Sequence, residues 1–526
     1  MASRTSPSER LPALLAFLEG VGASGLGAFM ARQRWFAARG RRPTRLAVLA
    51  AAALDAPSAD WPAEPLVVLL LVEADADRYY VPLAAHSGGA PGEGEVVGTV
   101  DGVTIVDAHG EPEFGRRLLH ACATARILDG VRGRFVGHWS GAAAAPDSAG
   151  CRDLAVVPLK GEQSNTSLLL GGRLIAKSFR RPRPGANPDF EIAHFLTTRT
   201  GFPHTPGLAG WLEHRAQGEE AMTIALLQPF VENSGDGWSH ALASLETLAN
   251  VLAGEPPPAH VEAGEHRLRE LGSELLDDLR TLGTVTGELH VALAAADAPP
   301  AFRPEPISDA DVAAWSAQVA AETGAVLTEA ARRLDTLSDP ARAAVAALVA
   351  RWPTPARRPI DLSPLASDGS RKIRIHGDYH LGQVLRTRTG YVVIDFEGEP
   401  ARPLAERRAK SSPLRDVAGM LRSFDYAART VLAGRAAGER SALAAWMEAW
   451  ERQARGVFRR GYLEAAQRSP VPLVPATSAR VEQVTSVFEL GKAVYELRYE
   501  LSHRPAWAGI PADGIGRILG EMGDRP

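Results

Sequence analysis

The order of residues predicts an α+β protein with its strands early and its helices late, and three observations carry that expectation. Short apolar runs bounded by turns lie before residue 232, at Leu66–Val72, Leu168–Leu170, Leu174–Ala176 and Met222–Val231. Long alanine- and leucine-rich stretches then fill 239–253, 266–296, 308–350 and 436–466, the periodic texture of helices. One β-type island, Ile373–Phe396, interrupts the helical part. At 526 residues the chain is long enough for two to four folded units. We divide it into an N-terminal segment, 1–130, a β-rich segment, 131–232, and a helical segment, 233–526.

Taken in order, Leu11, Leu14, Leu15 and Leu18 fall on one face of a short amphipathic helix. Glu19 ends that run early, which argues against a signal peptide. Leu66–Val72 and Arg78–Val81 read as strands, Ser87–Gly94 as a loop and Glu113–Leu128 as a helix. Leu168–Leu170, a Gly171-Gly172 turn and Leu174–Ala176 form a β-hairpin pattern. Asn187-Pro188-Asp189 is a helix start: a capping side chain, proline at the first helical position and an acid in the first turn.

Composition excludes several classes. An apolar content of 45% with 23% charged residues is ordinary for a globular protein, and a net charge of -4 gives no bulk attraction to nucleic acid or anionic lipid. No apolar run approaches the ~20 residues of a membrane-spanning helix. Two cysteines, Cys122 and Cys151, are too few for a disulfide framework or a cysteine zinc site. The expected setting is the cytoplasm, with neither nucleic acid nor membrane as a partner.

The chemistry concentrates in Ile375-His376-Gly377-Asp378-Tyr379-His380-Leu381-Gly382-Gln383, followed by Tyr391-Val392-Val393-Ile394-Asp395-Phe396-Glu397. Phosphoryl transfer from ATP needs a carboxylate for the acceptor hydroxyl and oxygen ligands for magnesium. Asp378 fits the first role. Gln383, five residues on, and Asp395, seventeen residues on, fit the second once a hairpin folds them back. An aspartate after an apolar strand is ordinarily just a turn or cap; the combination is what points to a kinase loop. Upstream, Ser164, Asn165 and Thr166 lie in a polar turn suited to phosphate oxygens, and Lys177 ends the next strand, where it can meet the phosphates. Glu191, in the first turn of the Asn187-capped helix, is the expected partner of Lys177. The strand reaching Gln228–Val231 reads as the hinge whose backbone binds the adenine edge.

The His-Gly-Asp loop resembles that of the aminoglycoside phosphotransferase and choline kinase-like superfamily, with Gln383 in the place of the usual asparagine. Within it, His376-Gly377-Asp378-Tyr379-His380-Leu381-Gly382-Gln383 and Gln33-Arg34-Trp35-Phe36-Ala37-Ala38-Arg39-Gly40 resemble maltokinases, free or fused to trehalose synthase. The resemblance implies a two-lobed, protein-kinase-like fold with an N-terminal cap subdomain, and ATP and Mg2+ as cofactors. It also implies phosphorylation of maltose to maltose 1-phosphate for glycogen synthesis, and association with trehalose synthase. His376 is then expected to prop the loop backbone, and Asp416 to bond to it.

Lys492, Tyr495, Glu496 and Tyr499 recur at helical spacing and so share one face, where rings can pack on a sugar while charges meet its hydroxyls. Tyrosines at that spacing are also common core residues. Arg422 and Tyr426 are further candidates for the same pocket. The rival readings are a glucosamine or other sugar kinase, an aminoglycoside kinase, a catalytically silent subunit that binds trehalose synthase, and a carbohydrate-binding module.

Overall fold

The structure, a computed structural model, describes the chain apart from residues 1–11, 13–14, 17, 19–21, 57, 59–60, 88–91, 101, 143, 160–163, 272–273, 352–359 and 524–526. The expected helix over Leu11–Leu18 therefore falls largely outside the described residues. By its internal contacts the chain forms two compact units, Met1–Gly201 with Pro206–Val231, and Phe202–Thr205 with Glu232–Pro526. Among the described residues, no helix is long and apolar enough to cross a membrane.

The first unit contains two antiparallel sheets. Six strands, β1 (Leu46–Ala53), β2 (Leu66–Ala74), β3 (Asp77–Tyr80), β4 (Leu83–His86), β5 (Val96–Val100) and β6 (Val103–Asp107), pair in the order β1-β2-β4-β6-β5, with β3 also on β2. β2 is apolar from Leu66 to Val72, where both its faces are covered. Val67, Leu69 and Leu71 enter one core, whereas Leu66, Val68, Leu70 and Val72 enter another that includes Phe29 and Trp35. Helix α1 (Gly22–Arg32) supplies Phe29 to that second core.

The other sheet has seven strands: β7 (Ile127–Gly130), β8 (Gly133–Trp139), β9 (Val156–Pro158), β10 (Asn165–Leu170), β11 (Leu174–Phe179), β12 (Gly210–Arg215) and β13 (Met222–Pro229). Their order is β7-β8-β12-β13-β11-β10-β9. Helix α2 (Pro112–Ala123) contributes Phe114, Leu118 and Leu119 to the core that holds Leu69 of the first sheet and Leu168 of the second. One hydrophobic core thus spans the N-terminal and β-rich segments.

The expected helix Glu113–Leu128 stops early. Thr124 Oγ1 donates back to the His120 carbonyl, Ala125 takes a left-handed conformation (φ 52°), and Ile127 and Leu128 pair with β8. The pairing with a distant strand overrides local helix propensity.

Helix α3 (Pro188–Phe195) begins as its sequence predicts, with the Asn187 side chain accepting from the Asp189 amide at 2.8 Å. The second unit is mainly helical: α4 (Gly237–Leu252), α5 (Glu274–Leu293), α6 (Asp309–Arg333), α7 (Leu414–Ala433), α8 (Ala437–Ala466) and α9 (Ser478–His503) are its principal helices. Among the described residues its strands are two short pairs, β14 (Glu305–Pro306) with β15 (Arg371–Lys372), and the hairpin β16 (Val384–Thr387) with β17 (Gly390–Val393).

The loop between β15 and β16 carries His376–Gln383 and rests on α7. At Gly419 the helix backbone comes so close that a Cβ would stand 2.5 Å from the Tyr379 carbonyl oxygen. Gly419→Ala must therefore displace the loop or the helix. Urea unfolding is expected to show a loss of about 1–3 kcal/mol, the usual cost of overpacking. An unchanged midpoint would mean that the loop yields freely at this contact.

Candidate active site

The loop in the second unit is held by one buried carboxylate. Asp416, in the first turn of α7, accepts from the His376 amide at 2.8 Å (Oδ2) and from the Gly377 amide at 2.9 Å (Oδ1). His290 of α5 lies 3.1 Å from Oδ2. Burial works against the Asp416 charge, but His290 and the amides outweigh it and keep its pKa below the usual carboxylate value. Gly377 has φ 85°, a conformation costly for residues with a Cβ. The His376 ring nitrogen Nε2 lies 2.9 Å from the Ile394 carbonyl oxygen, and the Asp378 amide points at its Nδ1 at 3.4 Å. His376 and Asp416 therefore brace the backbone on either side of Gly377.

That bracing presents Asp378 to Lys492 of α9. The Lys492 ammonium lies 2.7 Å from Asp378 Oδ1 and 3.1 Å from Glu399 Oε1, and Glu399 in turn receives Arg402 at 2.5 Å. Burial alone pushes the Asp378 carboxyl up; Lys492, with His380 and His376, more than reverses this and brings it down to about 2. Asp378 is thus ionised at neutral pH, as a group that orients a hydroxyl and takes its proton must be.

The hairpin brings the other two predicted residues together. Val384 pairs with Val393, and the Ile394 amide donates to the Gln383 carbonyl at 3.0 Å, so Gln383 and Asp395 leave the same end of the ladder. Asp395 has φ 65°, which for a residue other than glycine costs of order 1 kcal/mol and marks a constrained position. An amide oxygen and a carboxylate are the hard donors a magnesium ion takes, so the residues present fit that ion.

In the first unit, Lys177 of β11 is buried and donates to Asp189 Oδ2 at 2.9 Å. Asp189, at the second position of α3, is a carboxylate against Lys177 that the sequence does not single out; Glu191, the expected partner, lies in the same first turn. Asn165 and Thr166 lie in β10 instead of a turn, opposite Phe179 and Ser178. Thr166 Oγ1 accepts from Arg180 at 2.8 Å, an engagement the sequence did not suggest. Ser164 is exposed just before the strand, and the preceding residues 161–163 lie outside the described set. Gln228 pairs with Ile175 inside β13, while Val231 lies beyond the strand's end at Pro229 and is the last residue of the first unit.

The predicted face of α9 is only partly as expected. Lys492 lies 4.7 Å from the Tyr495 ring centroid, and the more exposed Tyr499 stacks on His503. Glu496 is taken up by Arg422 at 2.8 Å. Arg422 corrects the sequence reading: its side chain is fully buried and its guanidinium is closed between Glu496 and Asp425 (2.6 Å), which leaves no face for a ligand. Tyr426 donates to Glu500 at 2.6 Å, and its ring lies parallel to Trp507 with centroids 6.4 Å apart. Glu399, bonded to Lys492, and Trp238 and Trp507, which meet the Tyr426 ring, adjoin the predicted residues without having been singled out from the sequence. For Glu399 a signal existed: it closes the acid-rich run Asp395-Phe396-Glu397-Gly398-Glu399.

Two consequences follow for phosphoryl transfer by this chain. Asp378→Asn keeps the loop's shape but removes the proton acceptor, so turnover should fall by about 10² or more with nucleotide affinity retained; a variant with over a tenth of wild-type turnover would exclude the role. Lys492→Met removes the main influence lowering the Asp378 pKa while burial persists. The carboxyl should then rise toward or above its ordinary value of about 4, and the acid limb of the pH–kcat/KM profile should move up with it. A limb in its wild-type position would show that Lys492 does not set the charge of Asp378.

The chain is similar to known proteins along most of its length. Residues 29–110 match the maltokinase N-terminal cap domain. A glucosamine kinase from Streptacidiphilus jiangxiensis is 27% identical over 458 residues, which is 85% of this chain and 87% of the relative. Another, from Mycolicibacterium smegmatis (strain ATCC 700084 / mc(2)155), is 28% identical over 385 residues, 69% of this chain and 79% of the relative. The solved structure of a glucosamine kinase in complex with glucosamine, ADP and inorganic phosphate shares the fold, with a TM-score of 0.58 at 22% identity, over 91% of this chain and 94% of that one. Residues 155–468, more than half of the chain and including the whole His376–Asp395 constellation, match the phosphotransferase enzyme family, and the chain belongs to that family.

Proposed function

We propose that the protein is an ATP-dependent sugar kinase whose acceptor is an amino sugar of the glucosamine class. The observation that carries the sugar reading is the 2.7 Å bond between Lys492 and Asp378, which joins the aromatic and acidic face of α9 to the ionised carboxylate. Rings at Tyr495 and Tyr499, with Tyr426, Trp507 and Trp238 nearby, suit the apolar faces of a sugar. The glucosamine class is supported by the names of relatives that span most of the chain.

In this reading, Asp378 receives the proton of the acceptor hydroxyl, and Lys492 holds that hydroxyl's oxygen beside it. Ser164, Asn165, Thr166 and Lys177 bind phosphate oxygens, Asp189 and Glu191 steady Lys177, and the backbone of Gln228–Val231 binds adenine. Gln383 and Asp395 hold a magnesium ion, whose bound charge offsets that of the phosphates. A cytoplasmic setting, where ATP is supplied, accompanies the reading.

Maltose is a second reading, favoured by the cap-domain match at residues 29–110 and by the length of the α9 face, two turns from Lys492 to Tyr499. Association with trehalose synthase belongs to that reading. The two are separated by kcat/KM for glucosamine, glucose, maltose and trehalose with ATP and magnesium, the phosphorylated carbon being identified by NMR. Glucosamine should exceed maltose by about 10² or more, the discrimination expected when buried hydrogen-bonding groups fit one acceptor. Tyr495→Ala should raise KM for the sugar and leave that for ATP unchanged. A preference for maltose would overturn the amino-sugar assignment, and turnover of none of these sugars would overturn the sugar kinase reading itself.

A further inference from the structure

The second unit contains a cavity of about 270 Å³ that reaches from the catalytic loop at Gly377 and Asp378 to Arg402, Arg415 and Phe488. Most of the cations around it are already matched. Arg402 pairs with Glu399 at 2.5 Å and with Glu406 at 3.4 Å, and Lys410 pairs with Glu305 at 2.5 Å. Lys492 is shared between Asp378 and Glu399.

Arg415 differs. Among the described residues, its guanidinium meets no hydrogen-bond acceptor and no ion-pair partner; it lies over the Phe488 ring, 5.7 Å from the centroid. The nearby acids are taken: Glu399 by Arg402 and Lys492, and Glu322 by Gln318 at 3.0 Å and Arg402 at 3.5 Å. Burial, and then the charge of Arg402, lower the Arg415 pKa, as expected of a cation lacking a counter-ion. Proteins rarely keep such a group unpaired, because its lost hydration is not repaid. A guanidinium offers five donors in a planar fork that matches an oxyanion.

We propose that this cavity is an oxyanion site in which Arg415 binds the phosphate group of inorganic phosphate or of a hexose phosphate. The proposal goes beyond the acceptor assignment and does not depend on which sugar is phosphorylated. It gives the enzyme a place to hold a phosphorylated product, or free phosphate, against the loop that carries Asp378.

The test is calorimetric titration of inorganic phosphate, and separately of glucosamine 6-phosphate, into the full chain saturated with a non-hydrolysable ATP analogue and magnesium. The analogue fills the nucleotide site, so binding that persists lies elsewhere. One anion per chain should bind. Arg415→Met, which keeps an apolar stem on Phe488, should weaken binding by about tenfold or more, the loss expected for charge-assisted hydrogen bonds. Arg415→Lys should retain part of the affinity, and Arg435→Gln, at a half-buried arginine bonded to Asn250, should leave it unchanged. Tighter binding of the hexose phosphate supports the site with product as its source; equal binding supports it with free phosphate. Without phosphate, Arg415→Met should melt close to wild type, because the cation gives up only its contact with the Phe488 ring and no hydrogen-bond or ion-pair partner. Three results would each overturn the proposal: neither anion binding in the presence of the analogue, Arg415→Met binding them as tightly as wild type, or that variant melting well below wild type without phosphate.

Discussion

The second unit turns on the carboxylate of Asp416. Two backbone amides of one loop and a histidine of α5 converge on its two oxygens, and the side chains of Asp416 and His290 are both buried. His290 in turn meets the hydroxyl of Tyr462 on α8 at 3.2 Å, so three helices are tied to the loop through one charge. A hydrogen bond to a charged group is worth about 1.5–3 kcal/mol, and an unmet buried carboxylate costs more than that. The backbone at His376–Gly377 is therefore fixed before any ligand arrives, and the direction in which Asp378 leaves the loop follows from it.

A second, electrostatic arrangement is built on that frame. Asp378, Lys492, Glu399 and Arg402 alternate in sign, each within hydrogen-bond distance of the next. Burial would neutralise an isolated carboxyl, and the alternation keeps this one charged. Because Lys492 belongs to α9, the same pair couples the loop to the helix whose rings are proposed to meet the sugar. Positioning and charge, the two demands that phosphoryl transfer makes on a protein, thus rest on different residues: Asp416 and His376 for the first, Lys492 and Glu399 for the second.

The sequence disclosed whatever its chemistry keeps local. His376, Asp378, Gln383 and Asp395 lie within twenty residues on a loop and a hairpin, so spacing alone brought them together. The Asn187 cap was legible for the same reason, since its partner is two residues away. What stayed hidden depends on contacts between distant segments. Asp189 and Glu191 share the first turn of α3, and that Asp189 reaches Lys177 depends on how the helix lies beside β11, which local sequence does not show. Arg422 sits on a charged helical face, yet Glu496, far along the chain, comes round to enclose it. Ile127 and Leu128 continue a helical pattern, but a strand partner at Phe135 and Val136 claims them. The α9 face was read from periodicity, which shows that residues share a side and not which of their groups are already engaged.

The central claim is that a carboxylate-anchored loop makes the enzyme active, and the most direct measurement is single-turnover phosphoryl transfer by Asp416→Asn under conditions where the variant is folded and saturated with nucleotide. An asparagine keeps one acceptor oxygen but turns an amide NH2 toward a backbone N–H, so one of the two loop bonds must break. The account predicts that the single-turnover rate falls by about 10² or more while nucleotide affinity stays within a few-fold of wild type, the signature of a misplaced Asp378. A single-turnover rate within about threefold of wild type would contradict it, because the loop would then hold its catalytic geometry without the charge at its base.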